Sequence, residues 1–253
     1  MVQRDLRSHY TGTALGSLWP IVRQLSQLLI FTYVFSVVLQ VRLSAQGLPS
    51  QNQNLTFGLW LFAGLLPWTA VTGAFIQGAT AVIRQKNLVT KVVFPLMLLP
   101  AVPVLSAFVE STFGLAILIA FVAVLTQKIH LTLLLLPLAW IPQLLLTAGL
   151  TYAAAALSVF LRDIPQAIGI VLNIWFYATP IIYPASLIPQ PIQKLVLWFN
   201  PMAAVAELYR DIILIGEIQH WREWLFASGI SLVIFVGGLW IYRKLRPAFA
   251  DVL

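Results

Sequence analysis

Few residues in this chain have side chains able to do chemistry, and they are scattered. Cysteine is absent from all 253 residues, which excludes disulfides, thiolate nucleophiles and thiolate metal sites. His9, His130 and His220 stand at the ends of apolar runs, and no Asp lies inside one. An intramembrane hydrolase needs a Ser nucleophile system or paired Asp residues within its spans, so no catalytic residue and no metal site is expected. One carboxylate, Glu110, does sit in the middle of an apolar run. A carboxyl there is either a hydrogen-bonded group that holds helices together or a direct participant in transport. Ion-driven carriers usually set several ionisable groups at the midplane, and this chain offers Glu110 alone. The phosphate cradle Gly-x4-Gly-Lys-Ser/Thr is missing, so the chain does not hold a nucleotide through that loop.

The elements that must position these groups are membrane helices. At 60% hydrophobic and 9% charged residues the composition lies far outside that of soluble domains, where charged residues make up about a quarter. The net charge of +7 does not point to nucleic acid, because the cations mark the ends of apolar runs and do not gather on one face. The sequence therefore reads as one all-α integral membrane domain over 1–253, with six transmembrane helices. Residues 1–19 are expected as an interfacial helix, with Val2, Leu6, Tyr10 and Ala14 on one face and Arg4, Asp5, Ser8 and Thr11 turned away. The opening Gln3-Arg-Asp-Leu-Arg7 lacks the layout of a cleaved signal.

Span one is expected from Ile21 to about Val41, with Arg23 snorkelling toward the boundary, and an exposed polar loop from Arg42 to Thr56. Span two runs from about Phe57 to Val82. It carries an inner Pro67 and a small-residue row, Ala70, Ala74 and Gly78, suited to close helix contact. Span three covers Leu96 to Thr126, and its Ser106, Ala107, Glu110 and Gly114 share one face that must look into protein or water. A tight turn at Gln127–His130 precedes span four, Leu131 to Phe160, with a second small row at Gly149, Ala153 and Ala156. Span five is expected from Pro165 to about Tyr183, and span six from Leu225 to Tyr242, closed by Arg243, Lys244 and Arg246. Between spans five and six, residues 184–216 hold two apolar pieces too short to cross, around Ile192–Phe199 and Ala203–Ile215. They read as re-entrant helices that dip into the membrane and return, or that lie along its surface, with Glu207, Arg210, Asp211 and Glu217 at the aqueous end.

Ten of the 15 cations fall on one side of this layout and five on the other, which sets the first side, with both termini, in the cytoplasm. The stretch 84–95 surfaces on that side, because a Lys or Arg at mid-bilayer costs about 2.5 to 3.5 kcal/mol. Between Arg84, Lys86 and Lys91 lie Leu88, Val89, Val92 and Val93, an apolar stripe on a polar helix that Pro95 stops. Such a segment is either a basic stop that fixes orientation or a docking helix for a protein partner. Arg162 and Asp163 form a second contact point on the same side.

Several motifs, in this order and spacing, resemble the polysaccharide-export permeases of the ABC-2 transporter class. They are Thr11-Gly-Thr-Ala-Leu-Gly-Ser-Leu-Trp-Pro20, Leu65-Leu-Pro-Trp68, the 84–95 loop, Phe160-Leu-Arg-Asp163, Thr179-Pro-Ile-Ile-Tyr-Pro184 and Asn200-Pro201. The likeness runs end to end and includes exporters of lipid-linked O-antigen, capsule and teichoic acid. It implies a homodimer in the bacterial inner membrane, paired with two separate ABC ATP-binding subunits that hold the ATP and Mg, this chain binding no cofactor. It also implies that 84–95 is a coupling helix, touching the ATPase through Arg84, Gln85, Lys86, Asn87, Leu88, Val89 and Lys91 together with Arg162 and Asp163. The short helices of 184–216 would then gate the pore. One departure is Leu96-Met97, where many relatives carry an acidic residue. A lipid-linked polysaccharide needs a lumen, and sugars stack on aromatic faces. Trp60, Trp68, Trp175, Phe176, Tyr177, Tyr183, Trp198 and Tyr209 are candidates for that role, or belong to the ordinary interface belts. Two other readings are an ABC-2 exporter of a small lipid or drug, and an ion-coupled carrier that uses Glu110.

Overall fold

The computed structural model describes residues 2, 16–38, 53–91, 94–127 and 129–253, and its regular structure there is helical throughout. A 3-10 turn, Gly16–Leu18, leads into α1 (Trp19–Thr32) and a π-helical continuation, Tyr33–Val38. Then follow α2 (Gln53–Ala79), α3 (Ala81–Arg84), α4 (Lys86–Lys91) and α5 (Leu98–Thr126). A 3-10 turn, Leu131–Leu135, opens α6 (Leu136–Phe160), and α7 (Ile164–Ala178), α8 (Gln190–Phe199) and α9 (Pro201–Arg210) come next. A π-helical stretch, Asp211–Ile215, separates α9 from α10 (Trp221–Leu245), and α11 (Phe249–Val252) folds back at the end. The expected helix over 1–19 and the loop from Arg42 to Thr56 lie largely outside the described residues, as do Val92 and Val93.

Among the described residues, four helical segments are long and apolar enough to cross a bilayer: Thr56–Ala79, Leu98–Thr126, Leu131–Phe160 and Trp221–Val252. They match expected spans two, three, four and six. The apolar helices Ile21–Thr32 and Ile164–Ala178 are shorter. The fifth expected span ends early because Thr179-Pro180 turns the chain. With 15 residues, α7 is about 22 Å long, less than the hydrocarbon thickness of about 30 Å.

α2 forms the centre. Every residue from Thr56 to Trp68 is buried, as expected of a helix that is apolar all round. α1 and α5 pack on one side of it, α6, α7 and α9 on others, and α10 lies against α6 and α9. Both small-residue rows mark helix crossings. A Cβ on Gly78 would strike the Thr151 side chain of α6, and one on Gly149 would come within 2.6 Å of the Ile234 carbonyl oxygen of α10. Gly238 meets Gly149 from the other side, backbone against backbone. No residue larger than glycine fits that crossing.

Prolines inside spans leave carbonyls without their helical N–H partner, a costly defect in a medium without water. α10 supplies a replacement. Pro142 cannot donate to the Leu138 carbonyl, which accepts from the Trp224 indole N–H at 3.1 Å. At the start of α5 the Leu96 carbonyl accepts from the Leu99 N–H at 3.1 Å and also from the Tyr242 hydroxyl at 2.7 Å. Beside it the Met97 carbonyl accepts from Tyr152 at 2.8 Å. The Leu96-Met97 pair at the departure from the family pattern is thus tied down through its backbone.

Candidate functional site

At one end of the molecule, α3 and α4 continue from α2 as two short turns. Arg84, Gln85, Lys86, Asn87 and Lys91 are exposed, and among the described residues no carboxylate lies within ion-pair distance of the three cations. Leu88 and Val89 behave differently. They are half-buried against a cluster that contains Val82, Tyr152, Val159, Tyr242 and Phe249. The expected apolar stripe is therefore partly covered by the chain itself, through α11, which packs on α4. Phe160 lies tilted against Phe249 at 6.1 Å between centroids, so the exposed corner Arg162–Asp163 and the basic turn flank one apolar cluster. The structure brings these two expected contact points to the same end. α11 was missed from sequence, although Arg246-Pro247 followed by Phe249 signals a helix that stops and returns.

Glu110 accepts a hydrogen bond from the Arg23 guanidinium at 2.7 Å, an ion pair between α1 and α5 inside apolar helices. The two groups open onto a cleft of about 250 Å³ between α1, α2 and α5, also lined by Gln24, Gln27, Thr69, Thr72, Gln77 and Ser111. The face with Ser106, Ala107, Glu110 and Gly114 looks toward this junction as expected: a Cβ on Gly114 would meet Leu66 and the Gln24 amide.

The aromatic candidates divide into three groups. Trp68 contacts Trp175 edge-on at 5.4 Å and Phe176 at 5.5 Å, with Tyr177 stacked edge-on behind Phe176. Trp60 and Tyr209 are buried inside the subunit, where the Tyr209 hydroxyl donates to Gln143 Oε1 at 2.8 Å. Tyr183 donates to the Tyr177 carbonyl at 2.8 Å, and Trp198 lies on α8 against Phe226. Tyr177 and Trp198 present exposed rings, while Trp60, Trp68 and Tyr209 do not.

Asn200 explains the Asn200-Pro201 motif. Its Oδ1 accepts from the Met202 N–H at 3.1 Å, capping α9, and from the Trp175 indole at 3.0 Å. Its amide donates to Thr179 at 2.8 Å. One side chain thereby joins the end of α7 to the start of α9.

The charges of α9 correct the sequence expectation. Glu207, Arg210 and Asp211 do not stand at an aqueous end: α9 is buried on every side among α2, α6 and α10, and Arg210 is 1% exposed. A buried guanidinium is tolerable only when its donors are matched, and here four of the five N–H groups have acceptors. Arg210 donates to the carbonyls of Trp60, Pro180 and Ile181 and to Glu207 Oε1 at 2.8 Å, while its carbon lies 3.5 Å above the Trp60 ring. The Pro180 and Ile181 carbonyls are open because Thr179–Tyr183 is a turn and not a helix. A Cβ on Gly64 would come within 2.6 Å of the guanidinium, so α2 makes room for it. Asp211 is fully buried and accepts from the Gln219 and His220 N–H groups at 2.8 and 2.9 Å and contacts the His220 ring at 3.0 Å. That hydrogen bond holds His220 protonated above its ordinary range, against desolvation. Glu217 remains exposed. The one signal available beforehand was an Arg with Glu three residues earlier in a short apolar helix.

Comparison with known proteins completes the description. The family described as ABC-2 type transporter matches residues 1–214. An O-antigen export system permease protein, RfbA of Myxococcus xanthus, is 29% identical over 252 residues, covering 99% of this chain and 93% of the relative. The protein of the same name from Klebsiella pneumoniae is 27% identical, covering 100% and 93%. The polysialic acid transport protein KpsM of Escherichia coli is 23% identical, covering 97% and 92%.

Proposed function

We propose that this chain, which belongs to the ABC-2 type transporter family, is the membrane permease of a system that exports a lipid-linked polysaccharide across the bacterial inner membrane. The observation that carries this reading is the likeness, from end to end, to permeases whose names concern O-antigen and polysialic acid export. In this reading two copies of the chain pair with two ABC ATP-binding subunits, which hold ATP and Mg. The partner docks on the exposed Arg84–Lys91 face and the Arg162–Asp163 corner, which is the cytoplasmic side, together with both termini. α1 and α7 complete six spans, and α8 and α9 form the outer re-entrant gate.

α2 is the element suited to carry the stroke. Its cytoplasmic end continues into the basic turn, and at its other half Trp60 and Gly64 clasp Arg210 of α9. Gly64 and Arg84 are about 30 Å apart along a helix at 1.5 Å per residue. A push on α4 thus reaches the gate along helix interrupted only by single-residue turns at Thr80 and Gln85. The rings of Trp175–Tyr183, of which Tyr177 is exposed and the others half-buried, are the proposed sugar contacts. Glu110 is already engaged by Arg23, which disfavours an ion-coupled carrier. Export of a small lipid or drug differs in lumen width alone.

The test is purification of the chain with an ABC ATP-binding subunit from the same organism. Co-purification, and surface polysaccharide that disappears when the partner's ATP site is inactivated, are expected. Polymer export by this chain unaided would overturn the reading.

A further inference from the structure

We propose that the cleft between α1, α2 and α5 is a water-filled, hydroxyl-binding subsite for the sugar chain, with Arg23, Gln24 and Glu110 as its recognition groups. This deepens the proposed function and rests on it. Three independent observations converge on the cleft. The first is the ion pair itself: Arg23, expected to snorkel to the boundary, instead turns to Glu110 and keeps 60% of its side chain exposed where it lines the cleft. The second is Gln24, 4% exposed, whose Oε1 has no hydrogen-bond partner although it lines the cleft. An acceptor so buried calls for a donor from water or ligand. The third is room: about 250 Å³, the share of about eight liquid waters.

The chemistry selects the ligand class. Arg23 supplies donors, Glu110 and Gln24 supply acceptors, and the amides of Gln27 and Gln77 supply both. Hydroxyls, which donate and accept at once, match this mixture. A phosphate or other dianion matches it poorly, because it would lie against the Glu110 carboxylate. The cleft occupies the half of α2 nearer Arg84, so a sugar entering from the cytoplasm meets it before the aromatic cluster. Gly73 keeps its wall open, since a Cβ there would touch nothing within 4 Å.

The absence of cysteine permits a direct test in the full chain within native membranes. The thiol of Gly73→Cys is expected to react with a sulfonate-bearing, membrane-impermeant methanethiosulfonate at least roughly tenfold faster than that of Val109→Cys on the outward face of α5, because the reacting thiolate forms in water and not in lipid. Gln24→Leu, which removes an acceptor the subunit leaves unused, is expected to cut surface polysaccharide roughly tenfold while the protein accumulates normally. Glu110→Gln should do the same. A Gly73→Cys thiol that fails to react, or that forms a disulfide with the same position in a second copy, means a dry cleft or one closed by that copy, and overturns the proposal. A reactive thiol in Gly73→Cys with unchanged export in Gln24→Leu and Glu110→Gln means a cleft that holds only water, and also overturns it. Failure of the parent chain to export polymer with its ATPase would instead remove the proposed function, a distinguishable result.

Discussion

Around α9, Glu207, Arg210 and Asp211 lie buried with their polar atoms engaged by the chain itself; around α4, Arg84, Lys86 and Lys91 stand exposed with no internal partner among the described residues. The difference is one of satisfaction. Charges whose hydrogen bonds are spent inside the subunit hold its shape, whereas charges left with unspent donors are available to a second polypeptide. The same residue types therefore serve structure at one end and recognition at the other.

The comparison breaks most sharply at Arg210. Arg210→Ala would leave Glu207 and three carbonyls buried without their partner, and an apparent loss of about 3 to 5 kcal/mol is expected in detergent unfolding. A loss below about 1 kcal/mol would mean that the knot is not structural. Gly149→Val should come next, at about 1 to 3 kcal/mol, because its side chain meets α10 backbone that cannot move aside. Tyr242→Phe keeps the ring but strips a partner from the Leu96 carbonyl, and about 1 kcal/mol is expected in the same assay.

His220 sharpens the comparison through pH. Its hydrogen bond to Asp211 raises its pKa above the ordinary 6.5, so the stabilisation it contributes is complete below 6.5 and is lost as the pH rises through the raised value. His220→Gln should flatten the unfolding temperature of the chain across that window, a smaller effect than the three above. The double reversal Arg84→Glu with Lys86→Glu should change stability least, since these side chains are exposed. It should nonetheless abolish co-purification of the ATP-binding subunit. Retained binding would place the partner elsewhere and leave these cations as orientation signals alone.

Much of this was legible in the linear chain. The apolar runs located four helices that are, among the described residues, long and apolar enough to cross, because burial in lipid requires length and apolarity, both of which are local properties. The glycine and alanine rows predicted crossings that Gly78 and Gly149 then made. The expectation failed where partners come from distant segments. Arg210 looked aqueous because its acceptors are carbonyls of residues 60, 180 and 181. The stripe at Leu88 looked open because α11, which helps to cover it, lies some 160 residues later.

The sequence by itself determined that the chain is a helical membrane protein, where its long helices run, and to which family it belongs, because hydrophobicity and motif spacing are read along the chain. Only the tertiary structure decided which charges are consumed and which are offered, that Arg23 closes on Glu110, that the carbonyl freed by Pro142 is answered by Trp224, and that Tyr242 reaches the Leu96 carbonyl. The reason is that a polar group's role depends on whether a partner lies within about 3 Å, and those partners arrive from residues tens to over a hundred positions away.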